Sequence, residues 1–139
     1  MRIDYGAITQ IDATIIVNAA NGIGFMGGWI GRLFKLPGVA ESIHFVTKGG
    51  VESEARKKSR KRKWIPSIFY GHHAGEIYVT SAGSLPANWI IHAVTMRYPG
   101  TKTSLKIVQE VLPLIIKEAK KLNARSLAFP LLGAGTGGL

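Results

Sequence analysis

Thr14-Ile15-Ile16-Val17 runs directly into Asn18-Ala19-Ala20-Asn21-Gly22-Ile23-Gly24-Phe25-Met26-Gly27-Gly28, and Leu127-Ala128-Phe129-Pro130 runs into Leu131-Leu132-Gly133-Ala134-Gly135-Thr136-Gly137-Gly138. Both are apolar runs of strand type that end in glycine-rich backbone. A buried strand that opens into backbone with few side chains exposes peptide N–H groups, and these suit phosphate oxygens. Ligands of α/β sheets sit outside the carboxyl ends of the strands, so two such loops can grip a diphosphate between them.

Outward from the loops, the pattern alternates between strands and helices. Residues 2–5 and 13–17 read as strands, the second almost wholly apolar, as expected for a strand covered on both faces. Trp29 to Lys35 is a short helix candidate stopped by Pro37, and a helical pattern restarts at Gly38 through Val39, Ile43 and Val46 to Gly49-Gly50. A further helix starts at Val51 and carries the basic run. Strands follow through Ile77 and Val79 and at Trp89 to Val94, separated by a turn cluster from Ser81 to Pro86. Thr103 or Ser104 caps the clearest helix, where Leu105, Val108, Leu112, Ile115, Ala119 and Leu122 recur at three- and four-residue intervals around a kinking Pro113. Ser126 to Phe129 is the last strand. The order implies an α/β layered sheet, largely parallel.

At 139 residues the chain reads as a single domain, residues 1–139, without repeat or linker. It has no cysteine, which excludes disulfides, thiolate metal sites and cysteine nucleophiles. His72-His73 read as neighbours without carboxylate or thiol companions, so no metal is expected. No apolar run approaches the ~20 residues that span a bilayer, and no signal-peptide pattern opens the chain. The expectation is therefore a cytoplasmic protein without membrane partners. The sequence leaves the oligomeric state open.

The formal charge is +10, and residues 56–63, Arg56-Lys57-Lys58-Ser59-Arg60-Lys61-Arg62-Lys63, hold seven of the eighteen basic side chains. Such a run attracts polyanions in a salt-dependent way, which makes nucleic acid a candidate partner; a solvated helix face is the plainer reading. Trp64, just beyond it, reads as a core residue at a helix end or as a platform for a base.

Both loops, together with Gly6-Ala7-Ile8-Thr9 and Ile91-His92-Ala93-Val94, resemble the macro domain, a module that binds ADP-ribose. The resemblance covers nearly the whole chain. It implies a three-layer α/β/α sandwich with a mixed, mainly parallel sheet. Family members usually carry one more C-terminal helix after the second loop, and this sequence ends at Leu139 before it, so an open flank is expected. ADP-ribose or an ADP-ribosylated molecule is the implied ligand, with no cofactor. The implied contacts are Ile8, Asn18, Asn21, Gly24, Met26, Gly27 and Gly28 from the first half, and Leu132, Gly133, Ala134, Gly135, Thr136 and Gly137 from the second loop.

The spacing from Gly22 to Gly27, Phe34-Lys35, and the ending Gly133 to Leu139 look most like the branch that removes ADP-ribose from DNA or terminal protein acceptors. The implied function is hydrolysis of ADP-ribosyl linkages on nucleic acid or protein. A non-catalytic reader and a basic nucleic-acid-binding protein are the alternatives. Asn21 matches the asparagine that contacts the distal ribose and is the leading catalytic candidate, through positioning. The plainer reading is that both asparagines cap loop backbone, and for Asn18 the structural role is the one expected. That branch uses a lysine after its central strand. Met96 stands there, Arg97 beside it, and Lys102 and Lys35 are the lysines that could substitute. Ala7 replaces the acid that often reads adenine. Among the eight acids Glu41 is nearest the first loop in sequence, with a solvated helix residue as the plainer reading. His92 reads as a hydrogen-bonded core residue and His44 as a helix residue near the loop.

Overall fold

The computed structural model describes residues 3, 6–28, 38–135 and 137–139. Its centre is a four-stranded sheet in the order β2-β3-β1-β4, formed by β1 (Ile15–Asn21), β2 (Ile77–Ser81), β3 (Trp89–Met96) and β4 (Leu127–Ala128). β1 runs parallel to both β3 and β4, and β2 closes one side antiparallel to β3. Helices α1 (Val39–Val46), α2 (Gly50–Lys58), α3 (Ser67–Tyr70) and α4 (Leu105–Lys121) follow in chain order.

Strand side chains alternate between two cores. Ile16, Ala20, Ile90 and Val94 pack with Ile43 of α1 and Val51 and Ala55 of α2. Ile15, Val17, Ile91 and Ala93 pack with Val111, Ile115 and Ala119, the four-residue stripe of α4. Ile15, Ile16, Val17, Ile90 and Ile91 are fully buried, each stabilising the fold by about 1.5–3 kcal/mol. The two helical layers sandwich the sheet, as the alternation of strands and helices implies.

Some boundaries differ from the sequence reading. Asn18 to Asn21 belong to β1 rather than to a loop, because Asn18 pairs in register with His92 of β3 and Asn21 with Met96. β4 is only two residues long: Pro130 has no N–H for a ladder and Phe129 lies out of the sheet, 42% exposed. Ser104, not Thr103, caps α4, its Oγ accepting from the Ile107 N–H at 3.3 Å, and the helix continues through Pro113. Leu105 and Leu112 are exposed, so the buried stripe is narrower than the periodicity suggests. The basic run is split: α2 stops at Lys58, the buried Ser59 donates back to the Arg56 carbonyl, and the Lys61 N–H donates to Tyr70. Apart from Ile3, the strand expected at 2–5 and the helix at 29–35 lie outside the described residues.

Candidate functional site

A groove opens at the carboxyl ends of β1 and β3. One lobe, of about 220 Å³, is lined by Asn21, Phe25, Glu41, Thr95, Met96, Pro99, Gly100 and three glycines of the second loop, Gly133, Gly135 and Gly137. A second, of about 740 Å³, lies against Gly6, Ala7, Ile8, Thr9, Ser42 and Phe129. Gly38, Val39, Pro130 and Leu131 line both lobes, which makes them one elongated groove.

The second loop is built to present amides. The N–H groups of Ala134, Gly138 and Leu139 donate to carbonyls within the loop, whereas those of Gly133, Gly135 and Gly137 have no acceptor among the described residues. Thr103 anchors the turn, its N–H donating to the Gly137 carbonyl at 3.0 Å. A Cβ at Gly137 would lie 2.8 Å from the Thr103 methyl, and one at Gly133, where φ is +87°, would strike Leu139, so both need glycine. At Gly135 a Cβ meets nothing within 4 Å. Leu132 instead packs under the sheet against the α4 core, and Ala134 is exposed outside the groove lining. Thr136 lies outside the described residues.

The first loop is closed on itself. Asn21 Oδ1 accepts from the N–H groups of Ile23 and Phe25, at 3.3 and 3.0 Å, and its Nδ2 donates to the Phe25 carbonyl at 2.7 Å. The second N–H of the Asn21 amide has no acceptor among the described residues. Four expected contacts do not line the groove. Gly24, at φ +72°, is pressed so closely on α2 that a Cβ would lie 2.6 Å from the Ala55 carbonyl. Met26 is a core residue, Gly27 is buried, and the Gly28 N–H donates to Glu52 at 3.1 Å. Glu52 is itself buried, accepts from the Arg56 guanidinium, and lies with its carboxylate 2.5 Å from His44 Nδ1. That cluster ties α1 and α2 to the back of the loop.

Asn18 is also redirected. Fully buried, its Nδ2 donates to His92 Nδ1 at 3.2 Å, while His92 Nε2 lies 2.9 Å from Thr80 Oγ1, which donates onward to the Ser81 carbonyl. This chain fits a neutral imidazole with its proton on Nε2, and burial pushes the His92 pKa down to about 3. Asn18 thus pairs inside the sheet and does not line the groove, and its Oδ1 has no partner among the described residues. Lys102 does not line the groove either, although Gly100 does, and Lys35 lies outside the described residues.

Glu41 is the residue that sequence reasoning left on a solvated helix. It is half-buried in the first turn of α1, and among the described residues it is the only carboxylate lining the groove. The signal was its place three residues after Gly38, at the end of the helix that faces the loops. Asp12 lies elsewhere, in a polar hollow with Thr14, Arg125 and Ser126, leaving the lobe around Ala7 and Ile8 without a described carboxylate.

A family model described as Macro domain matches residues 17–139. The chain belongs to the macro domain family. An uncharacterised protein of Aeropyrum pernix is 32% identical over 139 residues, covering all of this chain and 63% of that protein. A macro domain-containing protein of Streptomyces griseus is 31% identical, with 97% of this chain and 68% of the relative covered. The chain spans 63 and 64% of the length of the first two relatives, the second from Sulfurisphaera tokodaii. Among solved structures, the Trypanosoma brucei macrodomain in complex with ADP-ribose superposes with a TM-score of 0.68 at 26% identity, over 96% of this chain and 47% of that one. The macrodomain of Mycobacterium tuberculosis DarG shares the fold, with a TM-score of 0.74 at 22% identity, over 98% of this chain and 78% of that one. The groove of this macro domain is thus where the fold, the unpaired amides and Glu41 converge.

Proposed function

We propose that this macro domain binds ADP-ribose along the groove and hydrolyses ADP-ribosyl linkages on nucleic acid or protein. The diphosphate sits on the amides of Gly133, Gly135 and Gly137, the adenine in the lobe around Ile8, and the distal ribose between Asn21 and Glu41. A relative of the same fold has been captured with ADP-ribose, which supports the ligand class.

The observation that carries hydrolysis is that Glu41 lines the same lobe as Asn21, its carboxylate lying beside Gly38. Breaking the bond from the anomeric carbon to its acceptor leaves a cationic sugar, which a carboxylate stabilises. Water adds its oxygen to that carbon and its proton passes to Glu41, while the acceptor leaves with the bonding electron pair. Asn21 orients the ribose through its remaining N–H. The test is release of ADP-ribose from modified thymidine, guanosine and glutamate, read by mass spectrometry. Glu41→Gln should slow release about a hundredfold while keeping ADP-ribose affinity within a few-fold.

A second reading is a reader that binds without turnover. It is favoured by the three hydrogen bonds that commit Asn21 to its own loop, and by the absence of any lysine from the groove lining among the described residues. Protein that binds ADP-ribose yet releases none from all three substrates is such a reader.

A further inference from the structure

Beside the mouth of the groove, three separate segments bring exposed rings and cations together. Tyr98 directly precedes the groove residues Pro99 and Gly100, and its hydroxyl donates to the Ile68 carbonyl of α3 at 3.1 Å. Arg97 lies 5.3 Å above the Tyr98 ring and donates to the carbonyls of His72 and Phe69. Ser67 at the start of α3 donates to the Ile23 carbonyl, fixing α3 to the first loop. Arg62 sits 4.8 Å above Tyr70, and Lys63 5.7 Å from the Trp64 ring centre.

Trp64, read from sequence as a core residue or a base platform, is 89% exposed, and Phe69 is 75% exposed. A single exposed aromatic needs no explanation, but several on segments tied to one another, as 61–70 and 97–98 are, mark an interaction surface. The neighbouring charge is equally unspent. Arg56, though exposed, pairs with Glu52 and Lys61 pairs with Glu76, whereas Lys57, Lys58, Arg60, Arg62 and Lys63 form no ion pair among the described residues.

We infer that this ridge is a binding surface for single-stranded nucleic acid, with bases stacked on Trp64, Phe69 and Tyr98 and the phosphates on the five unpaired cations. Every base has a face that stacks on an aromatic ring, and a positive track beside the rings follows the backbone. A duplex hides those faces. A lipid surface would call for one long amphipathic helix, and here the rings come from a turn, a four-residue helix and the bend just beyond β3. The surface is separate from the groove and needs no ADP-ribosyl group to work, so it goes beyond the proposed function.

The test uses the intact chain and fluorescein-labelled dT15 and U15, a 15-base-pair duplex, and vesicles containing phosphatidylserine. Anisotropy should show either single strand binding more tightly than the duplex, with a slope of log K against log salt of about −3 to −4 for five neutralised phosphates. Trp64→Ala, at a position outside the core, should weaken strand binding about tenfold without changing that slope. Lys57→Gln with Lys58→Gln should make the slope shallower by about 1 to 2. No strand binding at low salt, equal affinity after Trp64→Ala, or binding to vesicles in place of strands overturns the inference. ADP-ribose titration of the same proteins, expected to stay within twofold, reports separately on the groove.

Discussion

Gly135 offers the cleanest probe of the groove. Its φ is not in the left-handed region and a Cβ there meets nothing within 4 Å, so Gly135→Glu places a carboxylate into open groove without straining the loop. Two unit charges about 5 Å apart interact by about 3 kcal/mol at an effective dielectric of about 20. A bound diphosphate carries two charges, and side-chain rotation and water relieve part of that repulsion. A net penalty of about 3 kcal/mol corresponds to a loss of a hundredfold or more. Micromolar wild-type binding, about 8 kcal/mol, would become barely measurable by calorimetry. Gly135→Ala, which adds the Cβ without the charge, should stay within a few-fold, and both variants should melt with the wild type. Wild-type affinity in Gly135→Glu would refute the placement of the diphosphate on the second loop.

Asn21→Ala removes three side-chain hydrogen bonds from the first loop, so urea denaturation should register a loss of about 2–3 kcal/mol. If hydrolysis occurs, the same variant should turn over about a hundredfold more slowly, and unchanged turnover in a folded protein would remove Asn21 from the positioning role. The buried His92 makes an acid limb. Its pKa of about 3 in the fold lies below the ordinary 6.5, so the unfolded chain binds the extra proton and stability falls as pH drops from 6.5 towards 3. Between pH 7 and 5 the loss from this group is about 2 kcal/mol, and His92→Gln should flatten that part of a stability–pH curve.

The layered sheet was legible because Ile15 to Val17, Ile90 to Val94 and the Val111–Ile115–Ala119 stripe obey simple burial periods that tertiary contacts reinforce. His92 was legible for the same reason: a polar ring within an apolar strand must find partners, and it found Asn18 and Thr80. The division between loop and strand at Asn18 was not, since nothing local distinguishes an asparagine that caps a turn from one that pairs across the sheet. Glu41 failed for a related reason. Its helix is ordinary by sequence, and only the packing of α1 over the carboxyl end of β1 turns that first turn towards the groove. Trp64 is the opposite case, because an aromatic at a helix end has a core nearby only if the chain folds back, and here Lys61 is drawn onto Tyr70 instead.

The two glycine loops look alike in sequence but differ in what their amides do. In the first, the N–H groups of Ile23, Phe25 and Gly28 are consumed by Asn21 and by Glu52, whose ties to His44 and Arg56 fix it on α1 and α2. Such a loop cannot also wrap a phosphate with those groups; it forms a stiff wall. In the second, the N–H groups of Gly133, Gly135 and Gly137 have no acceptor among the described residues and belong to residues that line the groove, in a turn held by Thr103 just before α4. In the proposed function, anion binding therefore falls to the second loop and positioning to the first. For catalysis this separation is useful. Binding energy gathered on the diphosphate can hold the distal ribose against a wall that does not give way, and an interaction that strengthens only as the sugar becomes cationic then lowers the barrier rather than merely tightening the complex. In the proposed function Glu41, which lines the same lobe as Asn21, makes that interaction.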